Sequence, residues 1–410
     1  MLGNRRFRTS LFLSLSVVVL FRSETPSGGT FAEPLPTASP QSVGVDPDRL
    51  QRVEVPIQAA IGANQTPGAV LLVARRGKVV FRNAYGLRAR EPVREKMTVD
   101  TIFDLASLTK VMATATSVMI LVEEGRVALT DRAATYIPEF GRRGKETITV
   151  QQLLTHYSGL RPDLDLDDSW TGLDRALELT WRERLEAEPG TTFIYSDINY
   201  IVLGELIRRV SGQPLNEFAA EKVFRPLGMN YTGFLPPQEW VPRVAPTERR
   251  GGRMLRGVVH DPTAERMGGV AGHAGLFSTA DDAAVWAQML VNGGVFGDTR
   301  VLSPLGVLAM SSPQNPRDKP GWRGFGFDID TRYSTVRGTL FPRGSFGHTG
   351  FTGTSIWIDP TTETIIILFS NRVHPDGRGD VVSLRNRVAS VVAAALVDVP
   401  LNWDPFYRGY

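Results

Sequence analysis

Ser107 and Lys110 stand three positions apart at the head of the run Asp104-Leu-Ala-Ser107-Leu-Thr-Lys110-Val-Met-Ala-Thr-Ala-Thr-Ser-Val-Met-Ile-Leu-Val122. From Val111 to Val122 the run holds no charge and its apolar residues cover every face, which predicts one buried helix from Asp104 onward, ended by Glu123-Glu124-Gly125. Residues i and i+3 share a helix face, so the serine hydroxyl falls within hydrogen-bond reach of the lysine amine. Burial and the helix dipole both lower a lysine's proton affinity, so a neutral amine that takes the serine proton is chemically reasonable. The chain has 6 lysines against 40 arginines, and a guanidinium cannot act as a base, so lysine at this position suits proton transfer. Against this stands the bland alternative, a lysine reaching out to solvent beside a structural serine, which chance alone offers about once in a chain this long.

Two further short motifs carry usable groups. Tyr195-Ser196-Asp197 falls in a loop just before a helix, where a phenol could shuttle a proton beside Lys110; its alternative is a packed Tyr195 with Asp197 capping the helix. His348-Thr349-Gly350 opens a late strand, where glycine lets a substrate approach the backbone, and the N–H of Phe351 could join that of Ser107 as an oxyanion hole. The alternative there is a tight turn. His156, His260, His273 and His374 lack paired metal spacing and are expected to make structural hydrogen bonds, and no metal or cofactor is expected. Asp163, Asp165, Asp167 and Asp168 read as a solvated loop, and no serine has G-x-S-x-G surroundings.

The elements that must position these groups follow from periodicity. A helix is expected from about Pro47 to Ile61, then a hairpin of Gly68–Ala74 and Lys78–Ala84 turning at Arg75-Arg76-Gly77. Residues from Thr149 to about Trp240 are mostly helical, with Val150–Thr155 and Tyr200–Val210 the clearest segments, and Arg243–Ala280 reads as Gly-rich loop before a helix at Asp281–Asn292. Strands return at Phe325–Ile329, Thr352–Ile358 and Thr364–Ser370, and Val381–Val397 closes the chain as a helix. The fold class is therefore α+β: one antiparallel sheet formed from both chain ends, an inserted helical subdomain over about 127–290, and a cleft between them.

Composition bounds the setting. At 410 residues, 42% hydrophobic and 22% charged, the chain is long enough for one large or two smaller domains. Residues 1–32 hold Arg5, Arg6 and Arg8, an apolar run from Leu11 to Phe21, and a small-residue stretch ending at Ala32, the layout of a secretory signal peptide. Export to the periplasm or beyond is expected, with 33–42 as linker, 43–410 as the ordered domain, and no stable membrane span after leader cleavage. The leader's four arginines and one glutamate account for the formal charge of +3, and no basic stripe with interleaved aromatics argues for nucleic acid. With no cysteine, the exported fold rests on its core.

Taken in order, S-x-x-K, a near match to Y-x-N at Tyr195-Ser196-Asp197, and [K/H]-T-G resemble the β-lactamase and penicillin-binding protein superfamily, in its class C-like branch with D-alanyl-D-alanine carboxypeptidases and family VIII carboxylesterases. Leu153-Leu-Thr-His-Tyr-Ser-Gly159 and Met267-Gly-Gly-Val-Ala-Gly-His-Ala-Gly-Leu-Phe-Ser278 are similar to stretches of that branch, and the resemblance spans almost the whole chain after the leader. It implies an acylated nucleophile at Ser107, proton transfer shared by Lys110 and Tyr195, and a substrate site lined by Asp197, His348, Thr349, Gly350 and Phe351. Two departures matter: Asp197 stands where the branch usually has Asn, opposing a depressed lysine pKa, and His348 replaces the Lys common in β-lactamases. The expected substrate is a small molecule or peptidoglycan peptide ending in D-Ala. The other readings are a carboxylesterase and a penicillin-binding protein with little turnover.

Overall fold

The computed structural model describes residues 1–3 and 34–400. Apart from its first three residues, the expected leader lies outside the described residues. Three strands come early in the chain: β1 (Gly68–Arg75), β2 (Lys78–Ala89) and β3 (Glu95–Lys96). A small sheet follows, made of β4 (Phe103–Asp104), β5 (Gly233–Phe234) and β6 (Leu276–Ser278). The late strands are β7 (Trp322–Arg323), β8 (Asp328–Asp330), β9 (Phe346–Thr349), β10 (Ser355–Asp359) and β11 (Thr364–Ser370).

The main sheet has eight strands in the order β7-β8-β9-β10-β11-β1-β2-β3, and its pairings are antiparallel. Both chain ends thus build one sheet, as the α+β reading requires. Strand β1 is apolar on both faces because both are covered. Val70, Leu72 and Ala74 share a core with Ile365, Ile367 and Phe369 on the side of the central helices. Ala69, Leu71 and Val73, with Ile366 and Leu368, face α1 (Glu54–Gly62) and the closing helix Val382–Ala394. The chain between the two groups of strands supplies α2 (Lys110–Ala115 continuing as Thr116–Glu123), α3 (Val150–Leu154), α4 (Leu173–Arg182), α5 (Asp197–Ser211), α6 (Pro262–Arg266) and α7 (Ala280–Val291). The closing helix is α8. Among the described residues no helix is long and apolar enough to cross a membrane.

Several local readings are corrected. Asp104 is not helical: it pairs with Phe277 in β4, and its carboxylate accepts the Ala106 N–H at 2.8 Å, a local bond that competes with helix formation. Helix α2 then opens with i→i+5 bonding over Lys110–Ala115, where the Thr116 hydroxyl donates to the Val111 carbonyl at 2.8 Å. The early helix is split into Pro47–Gln51 and α1, because Pro56 has no N–H to give the Arg52 carbonyl. Phe325-Gly-Phe327 is a turn between β7 and β8, with Gly326 at φ 85°. The stretch expected as linker lies along β2, where Ala38 N–H donates to Val79 O at 3.0 Å and Leu35 is buried.

Candidate active site

The turn Leu105-Ala106-Ser107 between β4 and α2 sets the geometry. Asp104, buried, accepts Ala106 N–H at 2.8 Å on Oδ1 and His260 N–H at 2.6 Å on Oδ2. Burial pushes its pKa up, and these donors hold it back. Ala106 is held at φ 46°, a conformation a non-glycine residue adopts only when its surroundings impose it. The turn is clamped from both sides: Leu105 N–H donates to Leu276 O at 2.9 Å, the Thr352 hydroxyl to Asp104 O at 2.7 Å, and the Thr354 hydroxyl to Leu105 O at 3.1 Å. Among the described residues the N–H groups of Ser107 and Phe351 donate to nothing, which leaves both free as the expected oxyanion donors.

Lys110 is fully buried, and its Nζ reaches three acceptors: Ser107 Oγ at 2.9 Å, Asp197 Oδ1 at 2.6 Å and His273 O at 3.2 Å. Burial alone would lower its pKa, but the Asp197 carboxylate, and after it Tyr195, more than reverse this and raise it above the usual lysine value. The neutral lysine expected from burial and the helix dipole is therefore corrected. Lys110 rests as an ammonium.

Tyr195 lies in the loop before α5, its ring stacked on His156 at 4.5 Å and its centroid 5.0 Å from Lys110 Nζ. His156 is kept neutral, by burial first and then by Arg323 and Lys110, and its Nδ1 accepts Ser196 N–H at 3.0 Å. Asp197 opens α5 beneath them. It does not line the cavity with the other expected substrate-side residues, and it serves Lys110 instead.

Ser107, Tyr195, His348, Thr349, Gly350 and Phe351 all line one cavity of about 340 Å³. At Gly350 a Cβ would stand 2.2 Å from Thr354 Oγ1 and 2.4 Å from Leu105 O, so only glycine lets the two turns close on each other. His348 is buried and kept neutral by that burial, and its Nδ1–H donates to Thr349 O at 2.8 Å. The positive charge at this wall comes from arginines that sequence reasoning missed. Arg385 on α8 lines the cavity at 8% exposure, and its Nη2 donates to Gly350 O at 2.9 Å and Thr354 O at 2.8 Å. Among the described residues no carboxylate lies within ion-pair distance of it; burial followed by Arg372 lowers its pKa to about 9, with Asp380 opposing. Arg323 also lines the cavity and pairs with Asp328 at 3.2 Å. The Nε atoms of Arg323 and Arg385 have no hydrogen-bond partner.

Behind Lys110, His273 Nε2 meets Asp261 Oδ1 at 2.9 Å. Asp163 is not a solvated loop residue: its carboxylate accepts the Thr263 hydroxyl at 2.9 Å, and its pKa is raised to about 6, by burial first, with His273 opposing. Ligand atoms of Asp197, Asp261 and His273 lie within 4.8 Å of one another. These groups already hold partners, Lys110 on Asp197 and His273 on Asp261, so the cluster is assigned no metal.

Comparison with known proteins places this geometry. The family model described as Beta-lactamase matches residues 51–389. A relative from Escherichia coli (strain K12), bearing the provisional name D-alanyl-D-alanine carboxypeptidase, is 33% identical, with 90% of this chain and 91% of that protein covered. A penicillin-binding protein homologue from Caulobacter crescentus is similar in structure, with TM-score 0.70 and 25% identity, covering 86% of this chain and 99% of the other. A family VIII carboxylesterase is similar at TM-score 0.66 and 25% identity, over 86% of this chain and 99% of the other.

Proposed function

The chain belongs to the beta-lactamase family and is a serine hydrolase, and from that premise we propose that it acts through an acyl-enzyme at Ser107 on peptides or related amides that end in a free carboxylate, D-Ala peptides first among them. One observation carries the choice of substrate: the cavity that holds the Ser107 hydroxyl also holds the buried Arg385 guanidinium beside Arg372, with Asp380 the one carboxylate on that wall that favours the Arg385 charge and no carboxylate within ion-pair distance of it among the described residues. Two arginines facing one carboxylate leave a net positive charge on this wall, and a substrate carboxylate placed there balances it. His348, neutral, adds no charge of its own.

In this reading Lys110 cannot take the serine proton, because its amine is already protonated. The competent form is a phenolate at Tyr195 opposite the Lys110 ammonium. Tyr195 takes the Ser107 proton as Oγ attacks the carbonyl carbon, and the carbonyl oxygen, now negative, sits on the N–H groups of Ser107 and Phe351. The C–N bond then breaks, and the departing amine takes the proton from Tyr195. Water attacks the ester, giving its proton to Tyr195, and Ser107 leaves with that proton. Lys110 stabilises the charge that forms on Ser107 Oγ and on the Tyr195 oxygen throughout.

The apolar rim of the cavity, where Phe351 and Val382 are exposed, supports a second reading as a carboxylesterase on small esters. A penicillin-binding protein with little turnover shares the first step only. The leader supports export to the periplasm or beyond. Intact mass followed over time after mixing with a penicillin, in protein with and without Ser107→Ala, separates these outcomes. A lasting adduct that needs Ser107 supports a penicillin-binding peptidase, and a transient one with ring-opened product a β-lactamase. Hydrolysis retained by Ser107→Ala protein overturns the reading altogether.

A further inference from the structure

We infer that His273 and Asp261 form a positioning pair behind Lys110, which balances the Asp197 carboxylate and so tunes how tightly the Lys110 and Tyr195 couple holds its proton. The inference rests on the acyl-enzyme reading above. Its basis is placement. His273 gives its backbone carbonyl to Lys110 Nζ at 3.2 Å, so the residue is fixed to the ammonium at one end. Its ring, 1% exposed, is fixed at the other end by Asp261 at 2.9 Å. Asp261 is itself immobile, since the same Oδ1 accepts Ala264 N–H at 2.8 Å and caps α6.

The second ring nitrogen, Nδ1, is buried without a partner. His156 and His260 each leave a ring nitrogen in the same condition, so what sets His273 apart is its company: one of its ring nitrogens and carboxylate oxygens of Asp197 and Asp261 all lie within 4.8 Å of one another. The charged and titratable groups around it come from four elements: Lys110 on α2, Asp197 on α5, Asp261 at the cap of α6, and Asp163 on the loop that bonds Thr263. Asp261 and Asp197 favour its charged form, against burial and Lys110. When the His273 ring carries its second proton, two cations face Asp197 and Asp261, and Asp197 is shared between Lys110 and the field of His273. Without the imidazolium, Asp197 would act on Lys110 unopposed, and the couple would give up its proton only at higher pH.

The test pairs a variant with a measurement on the unaltered protein. His273→Gln keeps a hydrogen-bonding group beside Asp261 and removes the charge. With p-nitrophenyl acetate as probe, the acid limb of kcat/KM is expected to move up by about one pH unit, with kcat at pH 7 down about tenfold and KM within about twofold. In the wild-type protein, which has five histidines, 15N spectra should show the His273 ring protonated on both nitrogens at pH 7, and Asp197→Asn should lower the pH at which it titrates. An unmoved acid limb in folded His273→Gln protein, or a neutral His273 ring at pH 7, overturns the inference. Neither result touches the acyl-enzyme reading, which fails only if Ser107 proves dispensable.

Discussion

Replacing Asp197 by Asn tests the charge state of the site most directly. The carboxylate lies 2.6 Å from Lys110 Nζ. At an effective dielectric constant of about 20 the pair attracts by roughly 6 kcal/mol before desolvation is counted, and Asn keeps the shape of the side chain but not its charge. What remains is a fall of about 1–3 units in the proton affinity of the Lys110 and Tyr195 couple, the usual effect of one adjacent carboxylate. The sign does not depend on which of the two is the base. A less neutralised ammonium favours the phenolate, and a less anchored ammonium gives up its own proton sooner. The acid limb of kcat/KM, measured with p-nitrophenyl acetate between pH 5 and 9, should therefore shift down by about 1–3 pH units. Stability should fall as well, by about 2–4 kcal/mol, less than for a fully buried pair because the Asp197 side chain is 21% exposed. Lys110 has a raised pKa in the folded state, so its contribution to stability is complete below the unfolded value near 10.4 and is lost only as pH rises through the folded one. The loss should thus be constant across the neutral range. A limb that stays in place or moves up, in protein that melts cooperatively, would refute the charged-lysine argument.

Three more perturbations have defined outcomes. Arg385→Gln should raise KM for diacetyl-Lys-D-Ala-D-Ala by about 10–100-fold, the loss of one charge-assisted hydrogen bond, and leave KM for p-nitrophenyl acetate within about twofold; equal effects on both would argue against a carboxylate site. Asp104→Ala removes the acceptor of both Ala106 N–H and His260 N–H, and should cut kcat at least about tenfold with a thermal destabilisation of about 1–3 kcal/mol. Asp163 has its pKa raised to about 6, so the wild type binds more protons folded than unfolded between about pH 4 and 6 and loses stability there as pH rises. Asp163→Asn should flatten that part of the melting-temperature profile and be more stable above pH 6 by about 1–3 kcal/mol.

The partnership of Ser107 and Lys110 was legible because helical spacing and an out-of-place cation announce it, and 2.9 Å between the two atoms agrees with the spacing. The sheet was legible because Gly68–Ala74 and Thr364–Ser370 are too apolar to be anything but central strands. Less visible was whatever depends on partners remote in sequence. The protonation of Lys110 is decided by Asp197, 87 positions later, and the sequence shows only the conflict between burial and charge, not its winner. Arg385 gave no such signal, because Ser383, Asn386 and Arg387 beside it make its stretch read as the solvated face of the closing helix. His273 and Asp261 are 12 residues apart, separated by α6 and a Gly-rich loop and not on one helix or strand, so no period could have paired them. Asp104 was misplaced because a carboxylate that captures a nearby N–H ends regular structure, and side-chain capture of that kind leaves no periodic trace.

The order of the main sheet also governs how the chain reaches this state. Strand β1 lies between β2, which follows it directly, and β11, which arrives some 290 residues later; Arg75 pairs with Thr364. Until residues 364–370 exist and have docked, a fully buried central strand has one unpaired edge, and the guanidinium of Arg385 is not yet in place. Folding that waits on such remote pairing is slow and exposes a sticky edge meanwhile. A nascent chain stopped before β11 therefore cannot fold early into a working enzyme. It stays open at this edge until residues 364–370 are made.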